Sequence, residues 1–594
     1  MNWRWIGWIG LIVLTVGCKR MQAVEGDEPG ECSDEADNDS DGKFDCDDPD
    51  CRNAPDCEAE DTGDESDGGA PSDDGSGSGT TEDGSDDRDG DGTIDDEDCA
   101  PDNSDVSPDA EEVPYDGIDN DCDPDTLDDD FDRDGVWAAD DCDDANAAIG
   151  AGVVETCLDP SEARARILGA GSLGSALVVA GDVDGDGIED VAIGAATSAR
   201  SLGEVVVLSG ATLLDTEAEP IARWSGRSDY DFVGDVGALE RVGDLDGDGR
   251  ADMAVNFPNA DPGGFANAGM VAILLSSDPV PWSEPDHLVS VASVSVLGRN
   301  PGDKLGNGST WNDLTGDGVP DLIVSAPQDD EGVSNGGTIF LFTGGLDAAA
   351  DRSVNDADHR FFGGFQERLG SGRLMVLDDV NGDGSVELAI GSPSSEGETS
   401  GAGVTYLLSE PTALPDGAIV DVSTARFLGR AYEDGFGHGL SGVSDLDEDG
   451  IEDFVVGALK GDGSVTDSGA AYLFRGSADW TGTHTIDDAV VQWSGENGLG
   501  RTGAVPVFLP SSAGGASELV LSTPWADTGG HVAILDAAQS ASWTGGDPSD
   551  DATTWARSRE ADGFGSTVAA WGDYLLVGAP GAEDEAGAVV VFER

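Results

Sequence analysis

Carboxylates spaced two residues apart are the groups in this sequence best arranged for chemistry. In DVDGDGIED, Asp182, Asp184 and Asp186 are followed by Gly187, Ile188 and Asp190. Alternate side chains of a tight loop fall on one side, the glycine permits a sharp turn, and the carbonyl of the seventh residue can join the carboxylates. Such a loop offers the all-oxygen shell that a hard cation of calcium's size accepts. The same positions recur as Asp244, Asp246, Asp248, Arg250 and Asp252, and as Asp313, Thr315, Asp317, Val319 and Asp321. They recur again as Asp379, Asn381, Asp383, Ser385 and Glu387, and as Asp445, Asp447, Asp449, Ile451 and Asp453. Ca2+ is therefore the expected cofactor.

An EF-hand would need a bidentate Glu at the twelfth loop position. Ile193, Val255, Val324, Ile390 and Val456 stand there instead, each inside an apolar run. The loops are thus expected to join two strands of a β-hairpin rather than two helices, and to hold a turn rather than throw a switch.

From residue 164 onward, apolar strands of four to six residues alternate with Gly-rich turns, and no stretch keeps a helical period. An apolar-Gly pair recurs seven times, at Leu173-Gly174, Val233-Gly234, Leu305-Gly306, Leu369-Gly370, Phe436-Gly437, Leu499-Gly500 and Phe564-Gly565. Each pair is followed by a strand ending near a motif such as SAP at Pro327 or GAP at Pro580, then by strands such as GTIFLFTGG and HRFFG. These units resemble FG-GAP repeats, the building blocks of the integrin alpha-chain N-terminal domain. The resemblance implies an all-β fold, a seven-bladed β-propeller over 161–594 with four antiparallel strands per blade. A four-stranded blade cannot bury both faces alone, whereas a closed ring of blades can. The chain stops after the third strand of the seventh repeat, so Ala165 to Gly169 (ARILG) is expected to complete that blade. Repeats six and seven lack the acidic loop.

The N-terminal quarter has a different composition. Residues 1–17 read as a signal peptide: the apolar run from Trp5 to Val16 is too short to span a bilayer. It ends in TVGC, which resembles a bacterial lipobox and implies cleavage before Cys18 with lipid on that cysteine. Lys19 and Arg20 follow, with no Asp, which favours the outer membrane. Residues 18–58 form an acidic Cys-rich module, 59–86 a Gly/Ser/Asp linker that cannot bury a core, and 87–160 a second acidic module. Asp37, Asp39, Asp41 and Asp45 repeat the calcium spacing, as do Asp87, Asp89, Asp91 and Asp95. These modules resemble thrombospondin type 3 repeats and metal-binding motifs of the MopE type. After Cys18 the cysteines fall in two groups of four, Cys32, Cys46, Cys51, Cys57 and Cys99, Cys122, Cys142, Cys157. Each group allows three disulfide pairings in an oxidising compartment.

The chain has 594 residues, 123 acidic against 28 basic, and a net charge of -95. Nucleic acid is excluded as a partner by that charge, and divalent cations are the natural counterions. Catalytic signals are thin. The five His residues share no spacing, and Gly332-Val333-Ser334-Asn335-Gly336, a serine-hydrolase string, falls in a strand-to-strand loop rather than at a strand-to-helix elbow. The expected function is non-enzymatic: a calcium-binding, lipid-anchored bacterial surface protein of adhesin-like type, whose ligand is a protein or a glycan. By the integrin resemblance, that ligand sits on loops between strands two and three and between strands four and one. A propeller-based hydrolase or lyase, and a purely structural envelope scaffold, are the alternatives.

Overall fold

The computed structural model describes most of residues 163–594, together with Thr156–Leu158 and a few positions between 93 and 108. The signal segment and Cys18, the module 18–58 with its Asp37 to Asp45 set, the linker 59–86, and Asp87, Asp89, Asp91 and Asp95 lie outside the described residues. So does nearly all of 87–160, although Cys99 is disulfide-bonded. Among the described residues no helix is long and apolar enough to cross a membrane.

Seven sheets follow one another along the chain, and each is a blade. Blade 1 pairs Leu173–Gly181, Asp190–Ala195, Glu204–Leu208 and Pro220–Ser225 in antiparallel order. Blades 2 to 5 repeat this pattern with first strands Leu239–Gly243, Ser309–Asn312, Leu374–Leu377 and Phe436–Val443. Blade 6 begins at Val507–Leu509 and blade 7 at Thr567–Trp571. The second strands of blades 1 to 5 are DVAIGA, DMAVNF, DLIVSA, ELAIGS and DFVVGA, and every residue in them is buried. Burial on both faces explains why they read as unbroken apolar runs. Outer strands such as Pro220–Ser225 bury only part of their residues, toward the neighbouring blade.

The core is divided among the blade interfaces. Among the described residues seven apolar clusters occur, each drawn from two adjacent blades, and the last joins Leu576, Val589 and Val591 of blade 7 to Val191 and Ile193 of blade 1. The apolar-Gly signature lies at these interfaces. Leu173, Leu305, Leu369, Phe436 and Phe564 are buried, and the glycine after each takes a positive φ, between 74° and 93°. A Cβ on Gly174 would stand 2.5 Å from the carbonyl oxygen of Ala588. The signature marks where each first strand crosses closely onto the preceding blade, which requires both the conformation and the missing side chain. Val233 and Leu499-Gly500 fall outside the described residues.

The ring closes as the sequence leads one to expect. Ala165–Leu168 runs antiparallel to Ala588–Glu593, in register from Ala165 opposite Val591 to Leu168 opposite Ala588. Four strands make up the sheets of blades 5 and 7, but the other five sheets carry a fifth. The connection between the third and fourth strands of a blade reaches back and adds a short parallel strand to the outer edge of the blade before it. Asp286–His287 does this for blade 1, Arg352–Ser353 for blade 2, Gly417–Ala418 for blade 3 and Gly482–Thr485 for blade 4. For blade 5 the addition shrinks to one bridge, Trp493 with Gly546. Thr156–Leu158 takes the same place on blade 6, parallel to Thr554–Arg557. The N-terminal segment therefore closes the ring twice, once as a clasp on blade 6 and once as the fourth strand of blade 7.

Candidate metal centres

The acidic loops join the first and second strands of blades 1 to 5, so all five lie at one end of the ring. Their backbones are built alike. The first Asp accepts the N–H of the sixth-position glycine in each: Gly187 to Asp182 at 2.9 Å, Gly249 to Asp244 at 2.9 Å, Gly318 to Asp313 at 2.7 Å, Gly384 to Asp379 at 2.8 Å and Gly450 to Asp445 at 2.7 Å. The fifth-position carboxylates of Asp186, Asp248, Asp317, Asp383 and Asp449 accept the N–H of Ile188, Arg250, Val319, Ser385 and Ile451 at 2.8 to 2.9 Å. The sixth-position glycines have φ of 87° to 90°. A Cβ there would meet nothing within 4 Å, so conformation rather than space demands glycine.

Three carboxylate oxygens converge in three of these loops. Those of Asp182, Asp184 and Asp190 lie within 4.8 Å of one another, and so do those of Asp244, Asp246 and Asp248 and those of Asp445, Asp447 and Asp449. In the other two loops the third position is Thr315 or Asn381, a neutral oxygen donor. Only oxygen donors are presented by these side chains, which fits a hard divalent cation better than a thiolate- or imidazole-seeking one.

The ninth position has a second task that its spacing does not reveal. Asp190, Asp252, Asp321, Glu387 and Asp453 each begin a second strand and have no exposed surface. Asp190 accepts the N–H of Val183 at 2.9 Å and of Gly210 at 2.9 Å, tying the loop to the end of the third strand. Asp252 does the same with Leu245 and Ser276, Asp321 with Leu314 and Gly344, and Asp453 with Leu446 and Gly476. Glu387, longer by one methylene, accepts from Val380 N–H and from the Asn381 amide. Burial raises all five pKa values, to about 6 for Asp190 and about 7 for Glu387, while the N–H donors oppose the rise. A buried acid with a raised pKa is what a neighbouring cation would return to its charged form.

Two loops carry an arginine on their carboxylates. In loop 2 the Arg250 guanidinium turns back onto Asp248 at 2.8 Å, so this residue brings more than the carbonyl assigned to it from spacing. In loop 5 Arg475, at the end of the third strand, lies 2.7 Å from Asp453 and 3.9 Å from Asp447. Sequence offers no sign of Arg475, because it reaches the loop only through the sheet. Charge favours loop 1 as the strongest cation site: it has four carboxylates and no arginine, whereas an arginine offsets one of the four in loops 2 and 5, and loops 3 and 4 have three.

Neighbouring loops are also linked. Ala251 N–H donates to the Asp182 carbonyl, and Glu452 N–H to that of Asp379. Blade 7 has a tight turn instead of an acidic loop, and from it Trp571 donates its indole N–H to the carbonyl of Glu189 at 2.6 Å. Loop 1 is thereby fastened on both sides of the ring closure.

Comparison with known proteins places these features. A model described as FG-GAP repeat matches residues 173–208, 240–274 and 309–342, and a second FG-GAP repeat model matches 558–592. These are blades 1, 2, 3 and 7. The chain is 28% identical over 209 residues to human phosphatidylinositol-glycan-specific phospholipase D, covering 34% of this chain and 24% of that protein. It is 28% identical over 235 residues to integrin alpha-PS2 of Drosophila melanogaster, 37% of this chain and 15% of the integrin. With Drosophila integrin alpha-PS3 it is 33% identical over 185 residues, 30% and 15% of the two chains. The chain thus spans no more than about a quarter of each of these relatives. Repeat matches, blade count and closure agree: the chain carries FG-GAP repeats in blades 1, 2, 3 and 7 of a seven-bladed β-propeller that is similar to part of the integrin alpha chains.

Proposed function

We propose that this protein is a calcium-stabilised interaction module, held by lipid on Cys18 at a bacterial outer membrane, whose propeller binds a protein or a glycan. The carrying observation is where aromatic side chains are left in solvent, although Ile188, Val420 and Val490 are exposed at the other end. Phe265, Val333 and Val465 stand on connections between second and third strands, and Phe365 and Tyr432 on connections between blades. Strand alternation puts both kinds of connection at the end of the ring opposite the acidic loops. Phe365 is 71% exposed and Tyr432 68%, whereas every other Phe of blades 3 to 5 is buried except the half-buried Phe362. Exposed aromatics gathered on one face mark a contact surface, as scattered ones do not. Similarity to integrin alpha chains supports the same reading. In this division of labour the cations hold the hairpins while the far end meets the partner.

The test is capture of extracellular proteins, cells and arrayed glycans by the full chain in millimolar calcium and in chelator. A partner bound in calcium and lost in the Phe365→Ala, Tyr432→Ala double variant, with unfolding unchanged, is the expected result. A screen with no calcium-dependent partner, or binding that ignores the double variant, counts against the proposal.

Similarity to a phospholipase D supports a second reading, a propeller that serves hydrolysis. It requires activity that survives purification and disappears with a substitution inside the channel. Calcium-linked stability with neither partner nor activity would favour the scaffold.

A further inference from the structure

The first strands of blades 2 to 5 and the turns that lead into them enclose a cavity of about 280 Å3 on the ring axis. It lies toward the end that carries the exposed aromatics, since Pro258 and Asn259, just past a second strand, also line it. Three charged or titratable side chains face it from three blades: Glu240 of blade 2, Arg373 at the entry to blade 4 and His438 of blade 5. None belongs to an acidic loop, and the partner surface proposed above does not use them.

Two of the groups in the cavity wall lack partners. Glu240 is half-buried in the cavity wall, and its carboxylate makes no hydrogen bond among the described residues; the Arg373 charge is its attractive neighbour. Ser371 Oγ is buried with no hydrogen-bond partner. Burial pushes the Glu240 carboxyl up to about 7, with Arg373 opposing the rise. Buried polar groups left unmatched by protein are satisfied by water or by a ligand.

The lining narrows the class of ligand. One carboxyl and one guanidinium nearly cancel, so a phosphate or other dianion would be drawn by Arg373 and repelled by Glu240. Among the described residues no Phe, Tyr or Trp lines the cavity, so a nucleobase would find only the His438 imidazole to stack on. Glycines at 237, 306, 308, 372 and 439 leave backbone groups open to contact. The volume is at the small end of ligand pockets, which run roughly from 300 to 1,000 Å3. We propose that this cavity binds a single neutral sugar ring, whose hydroxyls donate to Glu240, accept from Arg373 and pair with Ser371. A hydroxyl both donates and accepts, so a polyol can serve an acceptor, a donor and a group that is either, in one small space. The proposal holds whether or not the outer loops bind a macromolecule.

Saturation-transfer NMR and calorimetry on the full chain test it, with D-glucose, D-galactose, D-mannose and N-acetyl-D-glucosamine as probes and glycine and inorganic phosphate as controls. At least one sugar is expected to saturate. Its affinity should fall tenfold or more in Glu240→Gln and in Arg373→Ala, with the unfolding midpoint preserved, and should be unaffected by the Phe365→Ala, Tyr432→Ala double variant. Ser371→Ala replaces either channel variant that fails to fold, and it should weaken binding in the same direction. No saturation by any of the four sugars, saturation by glycine or phosphate in their place, or sugar binding indifferent to the channel variants would overturn the assignment.

Discussion

Asp190→Asn should change stability with opposite sign in chelator and in calcium. Asp190 has no exposed surface, and burial raises its pKa from 3.8 to about 6 even with the N–H groups of Gly210 and Val183 holding it. One pKa unit is about 1.36 kcal/mol, so at pH 7.5 the ionised side chain costs the folded state at most ~3 kcal/mol. The carboxylates of Asp184 and Asp186 beside it face solvent, whose screening reduces this to ~1–2 kcal/mol. Asparagine keeps the shape and one acceptor oxygen and removes the charge. In chelator the variant should therefore be more stable than the parent, by less than that amount because the asparagine NH2 cannot accept one of the N–H groups that the carboxylate holds. With calcium bound the charge becomes an asset, and its loss should lower stability by about 1.5–3 kcal/mol, the range for a charge-assisted contact. Urea unfolding at pH 7.5, followed by tryptophan fluorescence with chelator and with millimolar calcium, reads both. The same sign in the two conditions would refute the reasoning: stabilisation in both means that no cation reaches Asp190, and loss in both means that its N–H bonds outweigh its buried charge.

Other outcomes follow from the same geometry. Folded pKa values above the unfolded ones, about 6 for Asp190 and about 7 for Glu387, give a stability that is present below about pH 4 and lost as pH rises through 6 to 7. In chelator, unfolding free energy should thus fall between pH 5 and 7.5, and calcium should flatten or reverse that slope; a pH series of urea titrations in both conditions measures it. Removing residues 1–160 takes the Thr156–Leu158 clasp from blade 6 and should lower the thermal midpoint by a few degrees, whereas removing 1–169 also takes the fourth strand of blade 7 and should abolish cooperative unfolding. Because the Trp571 indole donates to the Glu189 carbonyl within loop 1, calcium should shift tryptophan emission, and the shift should shrink in Trp571→Phe and in Asp182→Asn.

Much of the fold could be read from the chain because its physics is local and repeated. An acid-rich turn ahead of six consecutive buried residues marks a hairpin entering a covered sheet, and five copies in register fix the blade period. A spare strand before the first repeat points to closure, and Ala165–Leu168 is found beside the third strand of blade 7. What escaped notice is what the ring brings together from afar. Strands of two to four residues such as Arg352–Ser353 are too short to show a period, and their partners come from the adjoining repeat. Arg475 reaches Asp453 across 22 residues of sheet, and Glu240, Arg373 and His438 share a channel only because three blades surround it. The ninth-position acids were visible as ligand candidates, but their role as buried anchors for N–H groups depends on the end of the third strand, whose place beside the loop only the folded sheet reveals.

The five acidic loops are expected to take calcium, and the bound ions to hold the propeller together. Calorimetric unfolding of the full chain across calcium concentrations, beside a variant carrying Asp182→Asn, Asp313→Asn and Asp379→Asn, tests this most directly. Each site filled at tenfold over its Kd adds about 1.4 kcal/mol, so the propeller transition should climb with calcium in the parent and climb much less in the variant. A transition that ignores calcium, or one whose calcium shift survives the three substitutions intact, would contradict it.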